Sequence, residues 1–381
     1  MMKRVCIVTD DYPMEGRPYY TFIEELAVHL SMLGVEVTVL CPSSYTAKWI
    51  RKKPLKPKKY IRKNITIYSP RYISFSTKKV GFNTSKWTLK AFMSVCDNFL
   101  SAHHEEFDTI YGHFIFPSGI VASQLGHKYS LKSYLAYGEN TLYTIEYLGE
   151  EKTRKLLEYL SGVIAVSSDN KRILEEHTIV DSSLIDVFPN SIDSKTFYPR
   201  GRDLRKKYGL SEDDFLVAFV GYFIPIKGPN RLSRALKILN KSDLYALFLG
   251  KGPITPDYEK TIYEGLIEHE DMPKFLSMAD VFVLPTIAEG CCNAIVEALA
   301  CGLPVISSNQ SFNDDILDET CSIRVDPENI DEIATAIEHL YNDEDLRERL
   351  SKGALEKAKS LDIEARAKRI LDFMNRGEYE Q

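Results

Sequence analysis

The sequence predicts an α/β protein built from two doubly wound parallel-sheet domains. The chain has 381 residues, too many for one ordinary core, and its 44% hydrophobic and 27% charged residues are typical of a globular protein. Short apolar runs alternate with amphipathic stretches, which favours right-handed βαβ units. Residues 188–203, rich in Pro, Asn, Ser and Asp, separate two such series and indicate a hinge.

The first series predicts an N-terminal Rossmann-like domain over residues 1–190. The apolar run 4–10 predicts a strand. Residues 20–34 predict a helix, because apolar residues recur there at helical spacing: Phe22, Leu26, Leu30 and Leu33. A second strand is predicted at 35–42. Four further apolar runs predict strands: FDTIYGHF, SYLAYG, GVIAVS and LIDVFPN.

The second series predicts another Rossmann-like domain over residues 191–361. Its strands are predicted at 215–221, 244–250, 280–285 and 303–308, with a helix at 229–240. One long charged helix is predicted at about 343–376. We expect its last part, about 362–381, to pack back on the first domain.

Composition excludes several classes of protein. A net charge of −6 argues against a nucleic-acid binder, and seven cysteines without a CxxC pair indicate a reducing compartment and no structural zinc. The first apolar run stops at Val8, too short for a signal peptide, and no run reaches the roughly 18 apolar residues of a membrane span. The sequence therefore predicts a cytoplasmic protein, at most peripheral on the inner face of the cell membrane.

Ligands of open parallel sheets bind beyond the carboxyl ends of the strands. There, the segment GYFIPIKG (221–228) places Lys227 between Pro225 and Gly228, where an ammonium can meet a phosphate. A solvated lysine in an ordinary loop is the alternative. Gly-Lys-Gly at 250–252 is a weaker signal, which an ordinary turn explains.

The segment AEGCCNAIVEALACGLPVI (288–306) places Glu289 in a turn and Glu297 inside the next helix, which we expect to run from near Asn293 to Gly302. Backbone N–H groups at such a helix start attract an anion, most naturally a diphosphate. Glu289 can accept hydrogen bonds from ligand hydroxyls, and Glu297 can hold a ribose diol. Alternatively, Glu297 only complements the helix N-terminus and Glu289 is an exposed acid.

These motifs together resemble the retaining glycosyltransferases of family 4, also called glycosyl transferases group 1. The resemblance rests on FVGYFIPIKG, on PTIAEGCCNAIVEALACGLPVI with its two acids, and on the hinge FPNSID. It extends to FIEELAVHLSMLGVEVTVLCP, SGVIAVSSDNKRIL and IRVDPENIDEIATAI, and so covers nearly the whole chain. It implies the GT-B fold, in which two Rossmann-like domains face each other across a cleft.

The resemblance also implies a hexosyltransferase that takes its sugar from a nucleoside-diphosphate sugar held by the second domain. In it, Glu289 contacts the transferred sugar, Glu297 holds the nucleotide ribose, and Lys227 meets the diphosphate. The remaining implied donor contacts are Gly221, Tyr222, Gly290, Cys291, Cys292 and Asn293. No cofactor and no metal are expected, and no protein nucleophile is assigned.

This chain departs from the family pattern at several places, among them EGCC (289–292) in place of a commoner EGFG and a short stretch between Gly250 and Gly265. Tyr222 stands where many members have an arginine, so one cationic contact is either missing or supplied elsewhere; Arg17 and Arg231 are candidates. Tyr137 stands where many members have a histidine, followed by Glu139 and Asn140.

The first domain is expected to hold the acceptor, a glycan or lipid-linked intermediate of surface polysaccharide synthesis. His113 follows a predicted strand, although a lone histidine is more often structural than catalytic. The acceptor-side candidates are Gly16, Arg17, His113, Tyr137, Glu139 and Asn140.

Residues 48–63 contain nine Lys or Arg side chains, interleaved with Trp49, Ile50, Leu55 and Tyr60. A solvated loop is the default interpretation. The alternative is an anchor on anionic lipid, where each basic residue contributes about 1 kcal/mol.

Two other functions stay open from the sequence. A GT-B sugar-nucleotide epimerase would bind the same donor without an acceptor, and a catalytically silent homologue would only bind sugar nucleotides. A dinucleotide oxidoreductase is disfavoured because TDDYPMEG, not GxGxxG, follows the first strand.

Overall fold

The computed structural model describes residues 3–14, 20–51, 54–75 and 84–376. The chain divides into two compact units. Unit 1 comprises Met1–Phe188 and Glu364–Gln381, and unit 2 comprises Pro189–Ile363.

Within its described residues, unit 1 contains one eight-stranded sheet and one two-stranded ribbon. Its strands are β1 Arg4–Val8, β2 Glu36–Leu40, β3 Ser43–Ser44, β4 Lys59–Arg62, β5 Ile65–Tyr68, β6 Arg71–Tyr72, β7 Thr109–His113, β8 Lys132–Tyr137, β9 Gly162–Ala165 and β10 Ile185–Val187. The order in the sheet is β10-β9-β8-β7-β1-β2-β5-β4, and β3 pairs with β6. All neighbours in the sheet are parallel except β4 and β5, which form an antiparallel hairpin. The predicted parallel sheet is confirmed.

The unit 1 helices pack their apolar faces on this sheet. They are α1 Thr21–Met32, α2 Tyr45–Arg51, α3 Ser85–His103, α4 Ile120–Lys128, α5 Tyr143–Leu148, α6 Glu150–Leu157 and α7 Ser168–Glu176. In α1, Leu26 and Leu30 are buried as predicted, whereas Phe22 is only partly buried, Leu33 after the helix is 43% exposed, and Ile23 takes the buried position instead. Ser167 caps α7 by accepting a hydrogen bond from the amide of Asn170.

Unit 2 is built on a six-stranded, fully parallel sheet in the order β13-β12-β11-β14-β15-β16. Its strands are β11 Phe215–Val220, β12 Leu244–Leu249, β13 Thr261–Gly265, β14 Val281–Leu284, β15 Val305–Ser308 and β16 Ser322–Val325. The sequence did not predict β13 and β16, the two edge strands. The first central pair, β11 and β14, carries the two motif loops at its carboxyl end.

The helices of unit 2 are α8 Leu204–Lys207, α9 Pro229–Leu239, α10 Met272–Ser277, α11 Asn293–Ala300, α12 Ile330–Asn342 and α13 Glu344–Ser360. The prediction of one helix over 343–376 is wrong, because α14 starts afresh at Ile363 and ends at Asn375. At the break, the carbonyl of Leu361 accepts from the amide of Ile192 (2.9 Å), and the amide of Ile363 donates back to Ile192 (3.1 Å). These hydrogen bonds replace those that a continuous helix would make.

The helix α14 completes the core of unit 1. Ala367, Ile370 and Met374 are fully buried in the cluster that contains β1 and α1 side chains. The hydroxyl of Tyr134 in β8 donates to the carbonyl of Met374 (2.8 Å). Across the described ranges, no helix is both long and apolar enough to span a bilayer.

Candidate active site

The turn between β14 and α11 carries the first acid of the motif. Oε1 of Glu289 accepts a 2.8 Å hydrogen bond from the hydroxyl of Thr286 and pairs with the ammonium of Lys227. Only 12% of the Glu289 side chain and 22% of the Lys227 side chain are exposed. Because water screens this pair poorly, it holds both groups more firmly than a surface ion pair would.

Lys227 reaches this acid because two strand-end loops pack together. The loop after β11 ends at Gly228, whose φ of +77° is in the left-handed region. A Cβ on Gly228 would lie 2.7 Å from the carbonyl oxygen of Pro285, so the close approach requires glycine. The amide of Ile287 donates to the carbonyl of Ile226 (3.0 Å), which ties the two loops side by side.

Electrostatics keep Lys227 charged in this site. Burial opposes the ammonium form, but the negative charge and the hydrogen bond of the Glu289 carboxylate favour it, and the pKa of Lys227 is raised. Burial also raises the pKa of the Cys292 thiol to about 12, so this thiol is protonated at neutral pH. The turn therefore offers one ammonium and one carboxylate beside a neutral thiol.

Glu297 lies one turn into α11 and is 9% exposed. Nε2 of His269 is 3.4 Å from its Oε1, and the His269 ring packs on Phe197 with ring centroids 5.2 Å apart. A carboxylate has about four lone-pair sites, so Glu297 can keep this imidazole and still accept from two adjacent hydroxyls. The imidazole partner, contributed by the segment before α10, was not predicted from the sequence.

Asn190 holds the backbone of the turn between β14 and α11, a role that the sequence did not reveal. Its amide donates to Sγ of Cys291 (3.3 Å), and its Nδ2 donates to the Cys291 carbonyl (3.0 Å) and to Oδ1 of Asn293 (2.8 Å). Three contacts from one residue hold two positions of the turn. The Pro-Asn pair of the hinge was the available signal, but it indicated only a linker.

Gly221 and Tyr222, the first two residues of the loop after β11, differ in their surroundings. Tyr222 is 53% exposed. The carbonyl oxygen of Gly221 packs against Gly250, since a Cβ added to Gly250 would lie only 1.9 Å from that oxygen. A Cβ on Gly252 would come within 2.2 Å of the carbonyl of Phe223. The Gly-Lys-Gly turn therefore exists for close packing against the 221–223 loop, in line with the ordinary-turn interpretation.

Arg231, one substitute cation considered above, is committed to the protein backbone. Its guanidinium donates to the carbonyls of Pro225 (2.8 Å) and Pro285 (2.6 Å). Burial lowers its pKa. Arg231 therefore braces the two loops, while Arg17, the other candidate, lies outside the described residues.

In unit 1, two predicted acceptor-side residues are buried. His113 is 5% exposed and packs against the rings of Phe22 (5.2 Å) and Phe114 (4.7 Å). Burial, aided by the charge of Arg366, lowers the pKa of His113 to about 3, so its imidazole is neutral. Tyr137, at the end of β8, is fully buried. These surroundings are those of core side chains.

Glu139 and Asn140 follow β8 and are partly exposed. Burial raises the pKa of Glu139 to about 8, with a smaller contribution from the charge of Asp10. Near pH 7 this carboxyl is therefore mostly protonated and can donate a hydrogen bond. The candidates Gly16 and Arg17 lie outside the described residues.

The seven cysteines are all free and buried. In the part of the chain that the structure describes, no group of three or more His, Cys, Asp or Glu side chains is placed to hold a metal ion.

Two family models match the chain. The model described as Glycosyl transferases group 1 matches residues 201–357, and the model described as Glycosyltransferase Family 4 matches residues 21–196. Together they cover most of both units. The chain belongs to the family 4 glycosyltransferases. It is therefore an enzyme of sugar transfer, and the sequence resemblance is confirmed.

Curated relatives agree with this family. The chain is 27% identical over 352 residues to TuaC of Bacillus subtilis (strain 168), whose name assigns it as a glycosyltransferase of teichuronic acid biosynthesis, and the match covers 88% of each chain. It is 29% identical over 198 residues to an Escherichia coli UDP-Gal:alpha-D-GlcNAc-diphosphoundecaprenol alpha-1,3-galactosyltransferase, covering 48% of this chain and 51% of the relative.

Solved structures show the same fold. Sucrose-phosphate synthase from Thermosynechococcus elongatus superimposes with a TM-score of 0.79 at 20% identity, and the match covers 100% of both chains. HepE from Anabaena in complex with UDP-glucose gives a TM-score of 0.73 at 15% identity, over 98% of this chain and 100% of HepE. The predicted GT-B fold is confirmed.

Proposed function

We propose that this family 4 enzyme transfers a hexosyl group from a nucleoside-diphosphate sugar to a hydroxyl group of a glycan or lipid-linked acceptor, with retention of anomeric configuration. The acceptor belongs to surface polysaccharide synthesis. This assignment is supported by the names of the relatives, which refer to teichuronic acid synthesis and to a sugar-diphosphoundecaprenol acceptor. No resident metal or cofactor takes part.

In this reaction the bond from the anomeric carbon to the diphosphate oxygen breaks, and a bond to the acceptor oxygen forms on the same face. The acceptor proton passes to the departing phosphate oxygen, so the products are a glycoside and a nucleoside diphosphate. Negative charge grows on the leaving group while positive charge grows on the sugar ring. A preorganised site has to stabilise both charges.

The observation that carries the proposal is the cluster of Lys227, Glu289 and Thr286 at the ends of two neighbouring parallel strands. It presents one positive and one negative group side by side, as the two charges of this transition state require. The amides at the start of α11 can add backbone donors for the diphosphate. Glu297, in the same helix, would then take the ribose hydroxyls.

We expect one class of UDP-, GDP- or ADP-sugar to raise the melting temperature by roughly 2 °C or more, because a ligand that binds only the folded state stabilises it. With that donor and an acceptor glycan, the NMR coupling constant of the new anomeric proton should match that of the donor. Inversion of configuration would contradict the retaining mechanism, and no stabilisation by any of the three donors would contradict the function.

Incubation with donor alone separates the alternatives. An epimerase would convert the donor sugar without an acceptor, and a silent homologue would bind the donor but neither hydrolyse nor transfer it. Transfer that depends on an acceptor excludes both.

We also propose that unit 1 contacts an anionic membrane, where a lipid-linked acceptor resides. The short helix α2 exposes 69% of Trp49 and 80% of Ile50. Lys48, Lys58 and Lys59 of the same basic segment are exposed as well. An apolar edge beside lysines fits the interface of a membrane with negative headgroups.

The structure shows that not every cation of the basic segment 48–63 is free to bind anionic lipid. Lys56 is 7% exposed and pairs with Asp11, and Arg62 and Lys63 both pair with the buried Glu24. Lys56 is therefore not available to lipids, whereas Arg62 and Lys63, with side chains 33% and 55% exposed, are engaged by Glu24. The apolar residues of α2 must therefore supply much of the membrane affinity.

A second exposed aromatic pair extends this surface. Trp87 is 57% exposed and packs edge-on against Phe75 with ring centroids 5.5 Å apart. The hydroxyl of Thr46 in α2 donates to the carbonyl of Ser74 (2.6 Å), which connects α2 to this pair. The two apolar groups thus lie on segments of unit 1 that are joined by a hydrogen bond.

We expect the wild-type protein to sediment with phosphatidylglycerol vesicles and much less with phosphatidylcholine vesicles. The double variant W49A/I50A should lose at least about tenfold in vesicle affinity, because two largely apolar side chains no longer insert. Ile238→Ala, which removes a 56% exposed isoleucine from α9 of unit 2, is the matched control and should bind normally. Equal loss in the control, or no loss in W49A/I50A, would contradict this surface.

A further inference from the structure

Unit 1 contains a cavity of about 330 Å³ at the carboxyl ends of its central strands. Asp10 and Asp11 after β1, Ser43 and Ser44 after β2, and Glu139 after β8 are among the residues that line it. This is the edge at which open parallel sheets bind ligands. The volume is near the lower limit of small-molecule sites, about 300–1,000 Å³, so it admits one sugar ring but not a long chain.

The charged side chains that line the cavity are Asp10, Asp11, Glu139 and Lys56. Lys56 is buried, and its ammonium pairs with Asp11, whose Oδ1 also accepts from the amide of Tyr12 (3.0 Å). An anionic ligand that took Lys56 would leave the Asp11 carboxylate, only 16% exposed, without its counter-ion. The cavity therefore disfavours a carboxylate or phosphate.

Glu139 is positioned by its backbone as well as by its side chain. Its carbonyl accepts from Nδ2 of Asn170 (2.9 Å), and the amide of Ile115 points at its Oε2 (3.5 Å). Asn170 is itself held, since Ser167 Oγ donates to its Oδ1 (3.1 Å). The carboxyl group is thus presented to the cavity as a neutral donor near pH 7, which suits a sugar oxygen.

Aromatic rings contribute to the same cavity lining. Phe116 and Tyr147 contact each other edge-on with ring centroids 5.8 Å apart, and Tyr143 and Phe75 also line the cavity. The C–H faces of a sugar ring pack on such aromatic surfaces, while its hydroxyls hydrogen-bond to carboxyl groups. A lining that contains both aromatic rings and carboxyl groups therefore favours a sugar.

We propose that this cavity binds one uncharged sugar ring of the acceptor and rejects a uronate or a sugar phosphate at that position. The proposal rests on the proposed glycosyl transfer for its role, but the binding itself does not require activity. Phe75 lines the cavity and also packs on Trp87, so the exposed apolar region adjoins the sugar site. A lipid-linked sugar would place its sugar ring in the cavity and its lipid beside the exposed apolar region.

The test is saturation-transfer NMR in the presence of UDP, with four probes: methyl α-D-glucopyranoside, methyl N-acetyl-β-D-glucosaminide, methyl β-D-glucuronide and glucose 1-phosphate. We expect at least one neutral probe to receive saturation and the two anionic probes to receive at least fivefold less. The Tyr147→Ala variant should lose the neutral signal. Tyr159→Ala, which removes a 39% exposed tyrosine outside this cavity, should keep it.

The pH dependence provides an independent readout. The titratable groups around Glu139 are Asp10 and Asp11 after β1, Tyr20 before α1, Lys56 before β4, Tyr72 in β6, Tyr137 in β8, and Tyr143 and Tyr147 in α5. Asp10 chiefly raises the pKa of Tyr20, and burial raises that of Tyr137, so both stay protonated at pH 9. Sugar binding should weaken as pH rises through about 8 because Glu139 loses its proton. Glu139→Gln should remove this decrease.

Each outcome decides the proposal. Preferred binding of an anionic probe, no binding of any probe, or an unchanged signal in Tyr147→Ala would overturn it, provided that the variant melts like the wild type. A Tyr147→Ala protein that fails to fold would be replaced by Tyr147→Leu. Failure of nucleotide sugars to stabilise the protein would instead contradict the proposed function, since that measurement does not involve the cavity.

Discussion

Glu289→Gln is expected to lower kcat for sugar transfer by at least about 100-fold, the usual loss when one preorganised electrostatic group is removed. Affinity for free nucleoside diphosphate should stay nearly unchanged. The reason is the place of the carboxylate, at the end of β14, where Thr286 and Lys227 hold it. The measurements are kcat from initial rates and the dissociation constant from calorimetry.

The substitution isolates charge from shape. Glutamine has nearly the same volume and can still accept from the Thr286 hydroxyl, so the turn should keep its geometry. What is lost is the negative charge that, under the proposed function, faces the developing positive charge of the sugar ring. An interaction made mainly in the transition state affects kcat more than binding.

Glu264→Gln is the matched control for this experiment. Glu264 is an exposed acid in β13 of the same unit, so its substitution should change neither rate nor affinity. If Glu289→Gln weakened diphosphate binding as much as it slowed transfer, the carboxylate would act in the nucleotide site and its placement beside the sugar would be wrong.

The fold class could be predicted from the sequence because buried parallel strands leave a strong local signal. Runs such as FLVAFV and VFVL are apolar throughout, as expected when both faces of a sheet are covered. The edge strands β13 and β16 are partly exposed and carry polar residues, so no such run identifies them. The end of α13 was also unpredictable, since hydrogen bonds to the distant Ile192 set it.

The sequence identified candidate residues for the donor site, but it did not identify the residues that contact them. Strand ends and a helix start pointed to Lys227, Glu289 and Glu297 as separate candidates. The pairing of Lys227 with Glu289 joins residues 62 positions apart, and the clamp from Asn190 to Asn293 spans 103. Contacts of this range depend on the packing of whole loops, which local pattern does not specify.

In the basic segment 48–63, the composition concealed the local structure from sequence-based prediction. Its nine cations dominate the composition and hide the alternation in KYIR and ITIY that produces the β4–β5 hairpin. Composition also cannot tell which cations turn inward. Lys56 is among the most buried charged side chains in unit 1, although its neighbours Pro57 and Lys58 are exposed.

Lys227→Ala is expected to lower kcat/KM at least tenfold, and the wild-type enzyme should keep full activity in excess EDTA. With Tyr222 where an arginine is common and Arg231 bound to backbone carbonyls, we expect Lys227 to meet the diphosphate at this turn. Tenfold corresponds to about 1.4 kcal/mol, modest for a charge largely shielded from water. Initial rates with and without EDTA, and with each variant, measure both effects.

The ion pair makes this prediction sharper than a single substitution allows. Without a ligand Lys227 neutralises Glu289, so Lys227→Ala also leaves that carboxylate without its cation, and part of the loss could come from the acid. In the double variant K227A/E289Q this part disappears, and its loss in kcat/KM should be smaller than the product of the two single losses.

Lys251→Ala, in the exposed turn after β12, is the matched control and should leave kcat/KM unchanged. Restoration of an EDTA-abolished activity by Mg²⁺ would contradict the metal-free site. Strictly multiplicative losses would show that Lys227 and Glu289 act on the donor independently, despite their contact.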